Sequence, residues 1–152
     1  MTLKDTIKDD MKTAFKAGDS ATRGVLTMLL SVIQNREIEK RAKTEEPDLT
    51  DEELIAALGT EIKRRKEAAA TYEQGGRPEL ATTELAEATV LAKYMPEQMS
   101  EDDVKKLIAD AIASTGATSA KDTGKIMSQV APKTKGRFEG SRLNELVKQA
   151  LG

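Results

Sequence analysis

A chain of 152 residues suits one ordinary domain or two small helical ones. It is 33% charged and 38% apolar, with a mean hydropathy of -0.50 and a net charge of -2. That balance excludes a membrane bundle, a disordered chain and a strongly basic nucleic-acid binder. The absence of Cys and His excludes disulfides, thiolate nucleophiles, Ser-His-Asp triads and Cys- or His-type metal ligands.

The first element predicted is a helix over residues 3–17. Leu3, Ile7, Met11 and Phe15 recur every four residues, and Gly18 ends the run. Lys4, Lys8, Lys12 and Lys16 share that spacing and read as a solvated face, offset by Asp5 and Asp9. The second helix runs from about residue 20 to 43. Val25, Leu26, Met28, Leu29, Leu30, Val32 and Ile33 cover most of its circumference, which predicts burial on more than one side. Glu37/Arg41 and Glu39/Lys43 read as i,i+4 pairs on an exposed end.

Residues 44–48 form a loop around Pro47. Thr50 and Glu53 then make a capping box for a third helix carrying Leu54, Ala57, Leu58 and Ile62, which fades at Gly75 and Gly76. Within it, Lys63, Arg64, Arg65 and Lys66 fan around the helix, with Glu61/Arg65 and Lys63/Glu67 as local pairs. Pro78 suits the first turn of a fourth helix, with Leu80, Leu85, Val90 and Leu91 as its apolar face to about Tyr94. Met95-Pro96 is the best boundary in the chain, because the residue before proline is pushed out of the α region. The expected domains are therefore 1–95 and 96–152.

Ser100 caps a fifth helix, and Glu101, Asp102 and Asp103 sit where its dipole favours acids. Val104, Leu107, Ile108, Ala111 and Ile112 form its face, and Gly116 ends it. A sixth helix is expected over 119–130, stopped by Pro132. A turn rich in Lys and Gly follows, and a last helix carries Leu143, Leu146, Val147, Ala150 and Leu151. Aromatics amount to only 3% (Phe15, Tyr72, Tyr94 and Phe138), so the core must be aliphatic. The expected class is all-α: about four antiparallel helices, then three.

Charge is uneven. Residues 121–152 hold Lys121, Lys125, Lys133, Lys135, Arg137, Arg142 and Lys148 against three acids, a balance of +4, which leaves -6 for the rest. Gly124 falls inside a predicted helix, where it implies close approach by a neighbouring helix or a ligand backbone. Gly136 and Gly140 frame the basic turn, whose backbone N–H groups and cations suit phosphate oxygens. Phe138 belongs in the core rather than on a base. Ser119 stands where a phosphate-loop glycine is required before Gly124-Lys125, so no nucleotide loop is present. No catalytic residue, metal site or cofactor is expected. Met95 and Met99 beside Pro96 are the candidate face for a protein adaptor.

Several blocks in order resemble the YqeY-like proteins of the GatB/YqeY domain family. They are Asp10-Met11-Lys12, Arg23 to Leu30 with Glu37-Ile38, Glu61-Ile62-Lys63-Arg64-Arg65-Lys66-Glu67, Tyr94-Met95-Pro96-Glu97-Gln98-Met99-Ser100, Asp122-Thr123-Gly124-Lys125-Ile126-Met127 and Lys135-Gly136-Arg137. Glu139 stands where the family more often has Asp, with helix capping expected to survive. The resemblance implies an N-terminal helical domain and a C-terminal domain like the tail of the tRNA-dependent amidotransferase B subunit, which helps hold tRNA while catalysis lies elsewhere. It assigns Lys121, Lys125, Lys133, Lys135, Arg137 and Arg142 to an RNA-facing surface. It implies tRNA and the amidotransferase or aminoacyl-tRNA machinery as partners, with neither DNA nor membrane. An accessory role in glutamine-dependent amidation is the alternative. The charged opening segment is no signal peptide, and the longest apolar run, 25–33, is far below the roughly 20 residues that span a bilayer. A cytoplasmic location is expected.

Overall fold

The computed structural model describes all 152 residues and contains helices and no strands. Seven α-helices follow one another: α1 (Leu3–Ala17), α2 (Ser20–Arg41), α3 (Asp51–Gln74), α4 (Pro78–Ala92), α5 (Glu101–Thr115), α6 (Thr123–Thr134) and α7 (Gly140–Leu151). A short 3₁₀ turn, Ala120–Asp122, leads into α6. The chain divides into two compact units, Met1–Met95 and Pro96–Gly152, each with its own apolar core.

In the first unit, three helix starts follow their local chemistry. Thr2 and Thr50 make reciprocal capping boxes with Asp5 and Glu53, and Pro78 occupies the first turn of α4. Gly18 takes φ +72° to end α1, a conformation other residues avoid. The core gathers Ile7, Leu26, Ile33, Leu54, Leu58 and Leu91. Contact between α3 and α4 is the most extensive in the molecule. Its buried positions include Ala57, Ala69, Ala81 and Ala88, so the expected α4 face is partly wrong: Leu85 is exposed and alanines are inside.

Phe15 is also misplaced by the sequence pattern, because it stands 61% exposed. A four-residue repeat gains about 40° per step on a 3.6-residue helix, so two steps from fully buried Ile7 turn Phe15 about 80° off the core-facing line. Met28 is likewise exposed, which narrows the buried face of α2 to Val25, Leu26, Leu29 and Ile33.

Two expected surface charges, Glu37 and Arg65, lie inside instead, and a third, Lys4, is half-buried. Glu37 is buried, and its carboxylate accepts from Lys4 Nζ at 2.7 and 2.8 Å and from the Leu49 backbone N–H at 3.2 Å. Lys4 therefore leaves the solvated stripe and Glu37 leaves its expected pair with Arg41. Burial alone raises a carboxyl pKa; here the Lys4 and Leu49 hydrogen bonds and the Lys4 and Lys8 charges outweigh it, so Glu37 stays below the ordinary range. Arg65 is only 9% exposed and joins Glu84 and Glu87 of α4, with Nη2 also 3.2 Å from Met28 Sδ. The expected Glu61/Arg65 pair is replaced by Glu61 with Arg64.

In the second unit, Ser100 and Asp103 form a capping box and Gly116 takes φ +69° after α5. Val104, Ile108, Ile126, Val130, Leu143, Leu146 and Val147 form the core, and half-buried Phe138 packs against it. The sixth helix begins and ends later than expected: Thr123–Thr134, with Pro132 inside. A proline in a last turn forfeits one backbone hydrogen bond, and burial of Val130 and Thr134 on the core side holds the turn helical.

Candidate nucleic-acid interface

The candidate interface is built on α6 and the turn after it. Residues 123–138 carry Lys125, Lys133, Lys135 and Arg137 and no carboxylate, although the chain has 26 acids among 152 residues. Ile126, Val130 and Thr134 point into the core. That leaves Lys125, Ser128, Gln129, Pro132 and Lys133 exposed at i, i+3, i+4, i+7 and i+8. One outer face thus presents two cations about 12 Å apart along the axis, with neutral polar groups between them. Lys121, in the turn before α6, and Lys135, just after it, are exposed as well.

The turn is held rigidly. Thr134 Oγ1 donates back to the Val130 carbonyl at 3.1 Å, and the Thr134 carbonyl accepts from Arg137 and Phe138 N–H at 2.8 and 3.0 Å. Gly136 takes φ +74°, the left-handed conformation that closes the turn. Its carbonyl accepts from Gln98 Nε2 at 3.0 Å. Arg137 Nε donates to the Glu97 carbonyl at 2.9 Å, and the Arg137 carbonyl accepts from Met99 N–H at 2.9 Å. Residues 96–99 are therefore a strap beneath the turn. Met99 packs on the second core and Met95 on the first, so they do not form the exposed adaptor face expected of them.

At the other end of α6, the Asp122 carboxylate accepts from Thr118 and Ser119 N–H at 3.0 and 3.4 Å. The Thr118 hydrogen bond, reinforced by that of Ser119 and the charge of Lys125, holds its pKa below the ordinary range despite the opposing effect of burial. Asp122 is spent on ordering the entry to α6.

The other candidates behave differently. Arg142 lies between Glu101 (2.5 Å) and Glu145 (2.9 Å), and both hydrogen bonds raise its pKa further. It ties α5 to α7 and is not an open cation. A side chain at Gly124 would meet nothing within 4 Å, so no neighbouring helix approaches it closely, and the space at Gly140 is likewise open. Glu139 precedes α7 without a side-chain cap to its N–H groups, and its carboxylate accepts from Ser141 Oγ at 2.8 Å. The expected side-chain cap is therefore absent, and the carboxylate bonds the Ser141 hydroxyl. The acid-free run is visible in the sequence, but grouping Lys121, Arg142 and Lys148 with it hides its edges.

These features define an all-α protein of two compact units, the second bearing a cationic helix face and a braced turn. The family model described as Yqey-like protein matches residues 4–151, and the chain belongs to that family. It is also similar to a protein of Clavispora lusitaniae named altered inheritance of mitochondria protein 41, mitochondrial, with 30% identity over 106 residues. That match covers 68% of this chain and 59% of the relative. No helix is long and apolar enough to cross a membrane.

Proposed function

We propose that the protein is a non-catalytic module that holds structured RNA, tRNA foremost, on the outer face of α6 and the turn that follows. The observation that carries this reading is the acid-free run of residues 123–138 with Lys125 and Lys133 exposed on one face. Phosphate oxygens are the natural occupants of such a surface. Phe138 packs on the core, so contact there is with backbone and shape rather than with a stacked base. The resemblance to the amidotransferase tail domain, which helps hold tRNA, supports the same partner and suggests aminoacyl-tRNA machinery nearby.

The test is a tRNA gel shift over a salt series with Lys125, Lys133 and Lys135 replaced by Ala. The wild type should bind with a steep salt dependence, and the triple variant should lose affinity and lower the slope by roughly two to three. Equal binding by both proteins overturns the assignment. Turnover of glutamine by the purified chain would overturn its non-catalytic part and favour the amidation reading. The relative is mitochondrial by name, so the cytosolic setting needs its own check. Fractionation of the tagged protein should find it in the cytosol, and an organellar pool would refute that.

A further inference from the structure

We infer that the α1–α2 hairpin of the first unit is a second contact site, for an unpaired nucleobase on Phe15 with its flanking phosphates on neighbouring cations. This goes beyond the reading for α6, which concerns the other unit and requires no base. Phe15 is 61% exposed, an unusual position for a phenylalanine in a chain with two. Its ring is not loose: the Arg23 guanidinium lies 4.4 Å from its centroid, across the Gly18 turn. An arginine over one face of an exposed aromatic orients the ring, leaves a base only the opposite face and adds a cation near the flanking phosphates.

The surroundings fit the same ligand. Lys8, Lys12 and Phe15 fall within an arc of about 60° on α1, with all three exposed. Lys12 reaches Asp9 at 3.7 Å, an exposed pair that water and salt weaken. On α2, residues 20–36 contain no carboxylate, and Arg23, Thr27, Ser31, Gln34 and Asn35 are exposed. Gly24 costs helix stability, yet a side chain there would meet nothing within 4 Å, so no packing inside the unit requires a glycine. A protein-docking face would need a broader apolar patch, and a membrane-binding helix a continuous apolar stripe. Beside Phe15 stand Lys12, one turn back on α1, and Arg23 instead, while the Asp19 carboxylate of the intervening turn accepts from the Thr22 N–H at 3.0 Å.

The experiment uses the full chain and two end-labelled probes: an oligouridylate octamer and an abasic octamer with the same phosphates. Fluorescence anisotropy at low salt should show the uridylate bound at least about fivefold more tightly, the lower bound for one stacked base. Phe15→Ala should abolish that preference without moving the melting temperature, and Phe15→Tyr should keep it. A thymidylate octamer should show the same preference over its abasic form, since base face and phosphate are what the site reads. Failure of the wild type to bind, equal affinity for the two probes, or a preference that survives Phe15→Ala overturns the proposal. Lys125, Lys133 and Lys135 are intact in these variants, so this result and the tRNA gel shift fail independently.

Discussion

The two units treat charge in opposite ways. The first draws ionic side chains inward: Glu37 and Arg65 are buried, and Tyr94 donates to Asp10 at 2.6 Å. The second buries one polar residue, Thr134, and keeps its lysines on the surface. A buried charge must be paired, because removing one partner strands the other in a poorly solvating interior. An exposed cation is solvated and does not depend on a buried partner. Charge in the first unit therefore specifies how helices meet, whereas in the second Arg142 ties α5 to α7 while Lys125 and Lys133 stay exposed on α6.

The largest effect that would sharpen this contrast is at Arg65. Arg65→Ala should destabilise the protein by about 3 kcal/mol in urea denaturation, near the low end for a broken buried pair because Glu84 and Glu87 keep some solvent. Hydrogen exchange should rise in α3 and α4; equal exposure throughout α5–α7 would break the comparison. Glu37→Gln should cost about 2 kcal/mol, since Lys4 and the Leu49 N–H lose an ionic acceptor.

The pH dependence of Glu37 has a definite sign. Its folded pKa lies below the ordinary value of 4.5, so its contribution is present above that value and is lost as pH falls through the lowered one. Acid denaturation of Glu37→Gln should lack that part of the decline. An acid limb identical to the wild type would show that the buried carboxylate contributes nothing there.

Smaller effects belong to the second unit. Glu139→Asp should restore a side-chain cap at α7 and stabilise by about 0.5–1 kcal/mol, read as a higher urea midpoint. Replacement of Lys125, Lys133 and Lys135 by Ala should change stability by less than about 0.5 kcal/mol while weakening tRNA binding. A large loss of stability would mean that these lysines are structural, as Glu37 and Arg65 are.

Much of the fold is legible in the amino-acid sequence. Capping residues, Gly18, Gly116, Pro78 and Pro96 act on their immediate neighbours, so Thr50 and Ser100 announce helix starts through chemistry three residues long. The cationic turn is legible too, as composition. Inferences about partners are the ones that fail. Glu37 and Arg65 look like members of i,i+4 pairs, yet their actual partners are 33 and 19–22 residues away. Arg142 reads as a free cation until α5 places Glu101 beside it.

The sequence alone determined the helices, most of their ends and the excess of positive charge near the C-terminus, because periodicity and capping are local properties of the chain. Tertiary structure decided which charges are consumed and which remain. It put Lys4 on Glu37 and Arg142 on Glu101, left Lys125 and Lys133 outside, and turned Phe15 away from the core. Those outcomes depend on which helices pack together and at what rotation, and the pairing energy of a charge is set by neighbours distant in the chain.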